Sequence, residues 1–93
     1  MFESLLRQMQ EKVRSSQYVV TIHARREMND DELNTDDIER GILTGAIVER
    51  QKDQVTGEWK YRLQGDATDD RSIELVAKIS PTGKLIIITV YAL

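Results

Sequence analysis

The stretch TIHARREM, residues 21–28, holds the chain's one histidine with two arginines behind it. An imidazole with an ordinary pKa of about 6.5 can take or give a proton near neutrality. His23 is therefore a candidate general acid or base; the plainer alternative is a capping or packing residue beside Tyr18 or Tyr91. Arg26 follows His23 by one helical turn, on nearly the same face, which makes it a better phosphate ligand than Arg25. A solvated helix surface would carry the same two arginines.

A second group of chemically useful side chains emerges from alternation. In WKYRLQG, Trp59, Tyr61 and Leu63 point one way and Lys60, Arg62 and Gln64 the other. In the closing run KLIIITVYAL, Ile86, Ile88 and Val90 are the expected inward set, which leaves Thr89 and Tyr91 outward. Two cations, an amide, a hydroxyl and a phenol would then share one uncovered sheet face. Such a face can hold a phosphodiester, because Arg and Lys neutralise phosphate and a tyrosine ring can stack on a base. The alternative is an ordinary solvated strand surface.

Other chemistries find little support. There is no cysteine, so disulfides and thiolate metal sites are excluded, and one histidine is too few for zinc. The acidic run from Asn29 to Glu32, with Asp36 and Asp37 after it, lacks the spacing and glycine of a calcium loop. Ser15, Ser16 and Ser72 have no neighbouring base, and no glycine-rich phosphate loop is present. Chemistry without metal or cofactor, or plain binding, is the expectation. The net charge of −3 argues against easy nucleic-acid binding, but it is unevenly spread. Residues 1–45 carry six Lys/Arg against nine Asp/Glu, whereas residues 46–93 carry seven of each. No apolar run approaches the roughly 20 residues of a membrane span, so a soluble, cytoplasmic protein is expected.

The elements that must position these groups follow from periodicity. Phe2, Leu5, Leu6, Met9 and Val13 recur every three or four residues, predicting a helix within 1–16. Short helices are expected over 17–45: one capped by Thr21 with Ile22 and Met28 inward, and one capped by Thr35 and closed near Gly45. From Ala46 the period becomes two, and turns at 54–58, 66–70 and 81–83 separate four strands. The expectation is one α+β domain over 1–93, with N-terminal helices packed on one face of a roughly four-stranded antiparallel sheet.

The ordered motifs IHARREM, LNTDDIERGILTGAIVER, KYRLQG and RSIELVAKI, closing with GKLIIITVY, resemble a bacterial and archaeal domain family of unknown function. That family is similar to the RelE-like and BrnT-like toxins, small ribonucleases of toxin–antitoxin pairs. The resemblance implies a RelE/barnase-like fold, RNA cleavage without metal, and a zinc-finger or DNA-binding antitoxin as partner. His23 matches the family's opening histidine. Arg62 falls in its Tyr-x-x-x-Gly strand, Arg71 in the turn that follows, and Thr89 and Tyr91 in its closing motif. Together with the helix spacing and strand alternation above, this gives His23, Arg62 and Tyr91 as the expected catalytic set, with Arg26, Lys60, Gln64, Arg71 and Thr89 on the RNA. Two departures remove positive charge: Glu74 stands where some relatives have histidine, and Asn29 or Asp30 where they have a second arginine. The rival expectation is a non-catalytic interaction module of the same fold. Its closing strand, if at an edge, would pair with another chain, giving a homodimer or an antitoxin complex.

Overall fold

The computed structural model describes all 93 residues. The elements run α1 (Glu3–Arg14), β1 (Tyr18–Val20), α2 (Ile22–Asp30), α3 (Thr35–Thr44), β2 (Ala46–Lys52), β3 (Trp59–Asp66), β4 (Ser72–Ile79) and β5 (Leu85–Ala92). The architecture is α+β, three helices against a five-stranded mixed sheet of order β1-β5-β4-β3-β2.

Local chemistry accounts for the helices. The α1 stripe buries Met9 and Val13, one turn apart. At the start of α2 the Thr21 hydroxyl accepts the Ala24 N–H at 3.1 Å, the expected cap. Its buried residues are Ala24 and Met28, and Ile22, expected inward, is 72% exposed at the first helical position. The cap of α3 is Asn34, not Thr35. Asn34 accepts the Asp37 N–H at 3.1 Å and Asp37 accepts the Asn34 N–H at 2.9 Å, a reciprocal capping box.

The sheet differs from the expected four antiparallel strands at one place. Tyr18–Val20 pairs in parallel with Leu85–Ile87 as a fifth strand. Three residues are too few to show alternation, and this segment becomes a strand only because β5 supplies its partner. The remaining neighbours are antiparallel.

Register in β5 also departs from simple alternation. Thr89 pairs with Val76 while Ile87 pairs with Ala77, so Ile88 is an extra, bulged residue. The inward residues are therefore Leu85, Ile87 and Val90, all fully buried, rather than Ile86, Ile88 and Val90. Because the bulge lies before Thr89, it leaves Thr89 and Tyr91 on the face expected for them. Leu63, Leu75 and Val90 form one cross-strand row under the helices, each fully buried. Burial on that scale stabilises by about 1.5–3 kcal/mol per side chain.

Two glycines let α3 lie directly on β3. A Cβ on Gly65 would fall on the Gly41 carbonyl, and one on Gly41 would press into Ile73. On the other side of the sheet, β1 covers only the first part of β5. Beyond it α2 takes over: Thr21 donates to the Ile88 carbonyl, and Glu27 and Asp31 accept the Val90 and Ala92 N–H groups. The later half of β5 is thus closed by side chains of a helix.

Candidate functional site

Cross-strand partners share a face. Gln64 pairs with Glu74 and Glu74 with Tyr91; Arg62 pairs with Glu49 and Val76, and Val76 with Thr89. These side chains all lie opposite the Leu63–Leu75–Val90 row, on the side of the sheet away from the helices. The alternation argument for Arg62, Gln64, Thr89 and Tyr91 thus gives their actual direction.

At the centre of this face is a carboxylate. Glu74 Oε1 accepts Arg62 Nη1 at 2.7 Å and Gln64 Nε2 at 3.0 Å, and Oε2 accepts the Tyr91 hydroxyl. Arg62 Nε also faces Glu49 Oε1 at 3.5 Å. Glu74 is only 4% exposed although no helix covers it, because the three donors close over it. A buried charge is tolerable when its lone pairs are met in this way. The Glu74 hydrogen bond, opposed in part by burial and assisted by the charges of Glu74 and Glu49, raises Arg62 above its ordinary value, so it stays a fixed cation.

The remaining candidates divide. Lys60 follows the same alternation, opposite Gln51, half-buried and in no ion pair. Thr89 Oγ1 is buried on this face without a hydrogen-bond partner. His23 is not on the face; it sits exposed on α2 with Nε2 3.2 Å from Glu27 Oε1. Glu27 in turn holds the Val90 N–H, so His23 reaches the strand of Tyr91 only through that carboxylate. Arg26 is exposed on the same helix. Arg71 is committed to the scaffold, donating to the Asp31 carbonyl at 2.7 Å, the Glu32 carbonyl at 3.1 Å and Asp69 Oδ2 at 2.8 Å. It ties the end of α2, where Glu32 takes the left-handed φ of 55°, to the turn between β3 and β4.

Sequence reasoning missed the role of Glu74. Alternation in SIELVAKI already turns it away from Ile73 and Leu75, towards the side of Arg62. The usable signal was an acid and a base on facing strands, a pairing that sheets favour.

Chemically, the group offers a proton acceptor, a hydroxyl donor and a fixed cation within one hydrogen-bonded set. No three His, Cys, Asp or Glu side chains gather where they could hold a metal ion. No helix is long and apolar enough to cross a membrane.

Fold and site together define an α+β domain with a polar network on its uncovered sheet face. Residues 20–92 match the family described as a domain of unknown function, DUF4258, and the chain belongs to that family. No curated protein and no solved structure matches the sequence.

Proposed function

We propose that this domain is a small endoribonuclease of the toxin type, working in the cytoplasm on RNA laid across the uncovered sheet face. The observation that carries the reading is the convergence of Arg62, Gln64 and Tyr91 on buried Glu74. The resemblance of the ordered motifs to a family that is similar to RelE-like toxins supports it and favours the RelE/barnase-like arrangement.

The chemistry needs little apparatus. A ribose 2′-hydroxyl attacks its own phosphorus, the bond to the 5′-oxygen breaks, and the products are a 2′,3′-cyclic phosphate and a 5′-hydroxyl. Glu74 takes the 2′-hydroxyl proton once bound RNA displaces one of its donors, and Tyr91 gives a proton to the departing oxygen. Because Tyr91 is bonded to Glu74, the proton collected by the carboxylate can restore the phenol. Arg62 and Lys60 face the charge that builds on phosphorus, and fixed charges so placed usually contribute the largest share. Gln64 holds the carboxylate in position. His23, held by Glu27 beside the Val90 amide, has no hydrogen-bonded connection to Glu74, so its contribution is smaller than that of Glu74.

The test is cleavage of a defined single-stranded RNA by the purified protein in EDTA, with cyclic-phosphate ends scored. Glu74→Gln, Tyr91→Phe and Arg62→Ala each lower the rate by about 10²-fold or more, the usual span for a lost acid or base. RNA left intact by the folded wild-type protein from pH 5 to 9 overturns the reading.

A second reading is favoured by one specific observation: Arg62 lies between Glu49 and Glu74, so the face carries little free positive charge. A non-catalytic module that keeps this fold and binds a protein partner needs none. Growth arrest on expression, relieved by a zinc-finger or DNA-binding protein encoded beside it, separates the toxin reading from this one.

A further inference from the structure

On the helix side of the sheet, away from the Glu74 network, a cleft of about 410 Å³ opens between α1, the start of β3 and the end of β4. Leu5, Trp59, Tyr61, Ile79 and Pro81 line it together with the polar Gln8, Glu58 and Ser80. Trp59 was expected inward. It does point to the helix side, but it is the first residue of β3, at the sheet's outer end, and 45% of the residue is exposed. An aromatic ring of that size left half in water is costly unless something covers it.

Two cations flank the ring. The Arg50 guanidinium carbon lies 4.0 Å from the ring centre and Lys52 Nζ 5.7 Å. Arg50 pairs with Tyr61 and Lys52 with Trp59 across β2 and β3, which places both on the cleft's side. Neither meets a carboxylate: Glu58 is taken by Lys78 at 3.3 Å, and Asp53 accepts the Val55 and Thr56 N–H groups of the hairpin loop. In a chain of net charge −3, this is an apolar cleft with a locally positive rim. Beside it runs β2, the outermost strand, whose far edge has no partner.

We infer that the cleft and the free edge of β2 bind an extended acidic segment of a partner protein. Its backbone adds to β2, one apolar side chain enters the cleft beside Trp59, and flanking carboxylates meet Arg50 and Lys52. Single-stranded nucleic acid fits less well. One face of the indole is already occupied by Arg50, which removes half of the stacking surface, and the cleft holds no cation of its own for a phosphate, only the Glu58 carboxylate. The inference uses no residue of the proposed ribonuclease site.

Trp59 is the chain's one tryptophan, so its emission reports directly on the cleft. The probes are a ten-residue peptide of alternating Glu and Val with a central Leu, its Lys-for-Glu counterpart, and a ten-nucleotide oligouridine. The acidic peptide shifts Trp59 emission to the blue and binds more tightly at low salt. Arg50→Glu with Lys52→Glu weakens it by at least about tenfold and transfers preference to the lysine peptide. Trp59→Ala, followed by anisotropy of a labelled acidic peptide, weakens it comparably, and circular dichroism establishes that both variants are folded. Equal binding of the acidic and lysine peptides, or a response to oligouridine alone, overturns the inference. So does a dimer of the protein itself that Trp59→Ala dissolves. Peptide binding is read without RNA, so it stands or falls separately from the cleavage assay.

Discussion

Glu27 Oε1 accepts the Val90 N–H at 3.1 Å, and one turn later Asp31 Oδ2 accepts the Ala92 N–H at 2.8 Å. Four helical residues rise about 6 Å. Two strand residues advance about 6.6–6.8 Å, so carboxylates at helical spacing can answer alternate amides along a strand edge. An exposed edge invites pairing with other chains, and here a helix occupies it. Replacing both Glu27 and Asp31 by Ala leaves two amides unmet at about 1–3 kcal/mol each. The double variant is expected to melt lower and to self-associate with rising concentration in sedimentation, whereas Glu27→Gln with Asp31→Asn, which keeps the acceptors, stays closer to wild type.

The Glu74 network predicts a stability effect separate from catalysis. Glu74→Ala removes the acceptor of Arg62, Gln64 and Tyr91; exposed Gln64 can turn to water, and the half-buried Tyr91 hydroxyl left unmet costs about 1–3 kcal/mol. For a domain of this size that is a fall in Tm of roughly 5–20 °C by calorimetry. Glu74→Gln retains an acceptor oxygen and falls less, so a large loss of cleavage in that variant reads as chemistry and not unfolding.

Thr89 makes the opposite case. Its buried hydroxyl has no partner, so Thr89→Val removes an unmet polar group at almost constant volume. The substitution is expected to leave stability unchanged or to raise it by about 1 kcal/mol. If Thr89 also contacts RNA, the same variant binds oligonucleotide less tightly while melting no lower, and thermal melts paired with binding isotherms read both.

Gly65→Ala sets a methyl group against the Gly41 carbonyl, where backbone and not a flexible side chain must yield. Overpacking of this kind costs about 1–3 kcal/mol or more. Because Gly65 follows Gln64, the displaced strand also loosens Glu74; chemical denaturation is expected to show the lost stability, and the cleavage proposed above, assayed in parallel, falls with it.

Two ionisable groups set opposite pH limits. Burial pushes the Asp37 carboxyl up, but hydrogen bonds from the Thr68 hydroxyl and the Asn34 and Thr68 amides outweigh it, leaving it below its ordinary 3.8. A lowered acid stabilises above that ordinary value, and the stability is lost as pH falls through the folded pKa. Asp37→Asn is expected to flatten this acid limb. Tyr18 runs the other way: burial and its 2.5 Å hydrogen bond to Glu39 push it up to about 12. Its contribution is complete below pH 10 and is lost as pH rises from 10 to about 12; Tyr18→Phe removes that limb, which phenolate absorbance can follow.

The legible parts were those where one local rule decides the outcome. Met9 and Val13, Thr21 as a cap, and the outward direction of Arg62, Gln64 and Tyr91 all follow from periodicity or capping chemistry. What escaped was set by distant partners. β1 exists because of residues almost at the other end of the chain, and the bulge at Ile88 is defined only against Ala77 and Val76. Glu74 was visible as an outward carboxylate, but its central place depends on three donors from two other strands. His23 drew notice as a lone imidazole, yet its exposure and its bond to Glu27 place it beside the sheet edge and not over the network.

The parallel pairing of β1 with β5 carries one more consequence. The strand nearest the sheet's middle on that side is the last of the five in chain order, and Thr21 meets Ile88 across 67 steps of chain. Closing so long a loop makes folding slow for the size of the molecule. Until Leu85 and its successors emerge, β1 and β4 both wait with bare flanks, and Tyr91 is missing from its carboxylate. A nascent polypeptide of this design therefore lacks the closed Glu74 network, and is most prone to clump, in the interval just before β5 slots home.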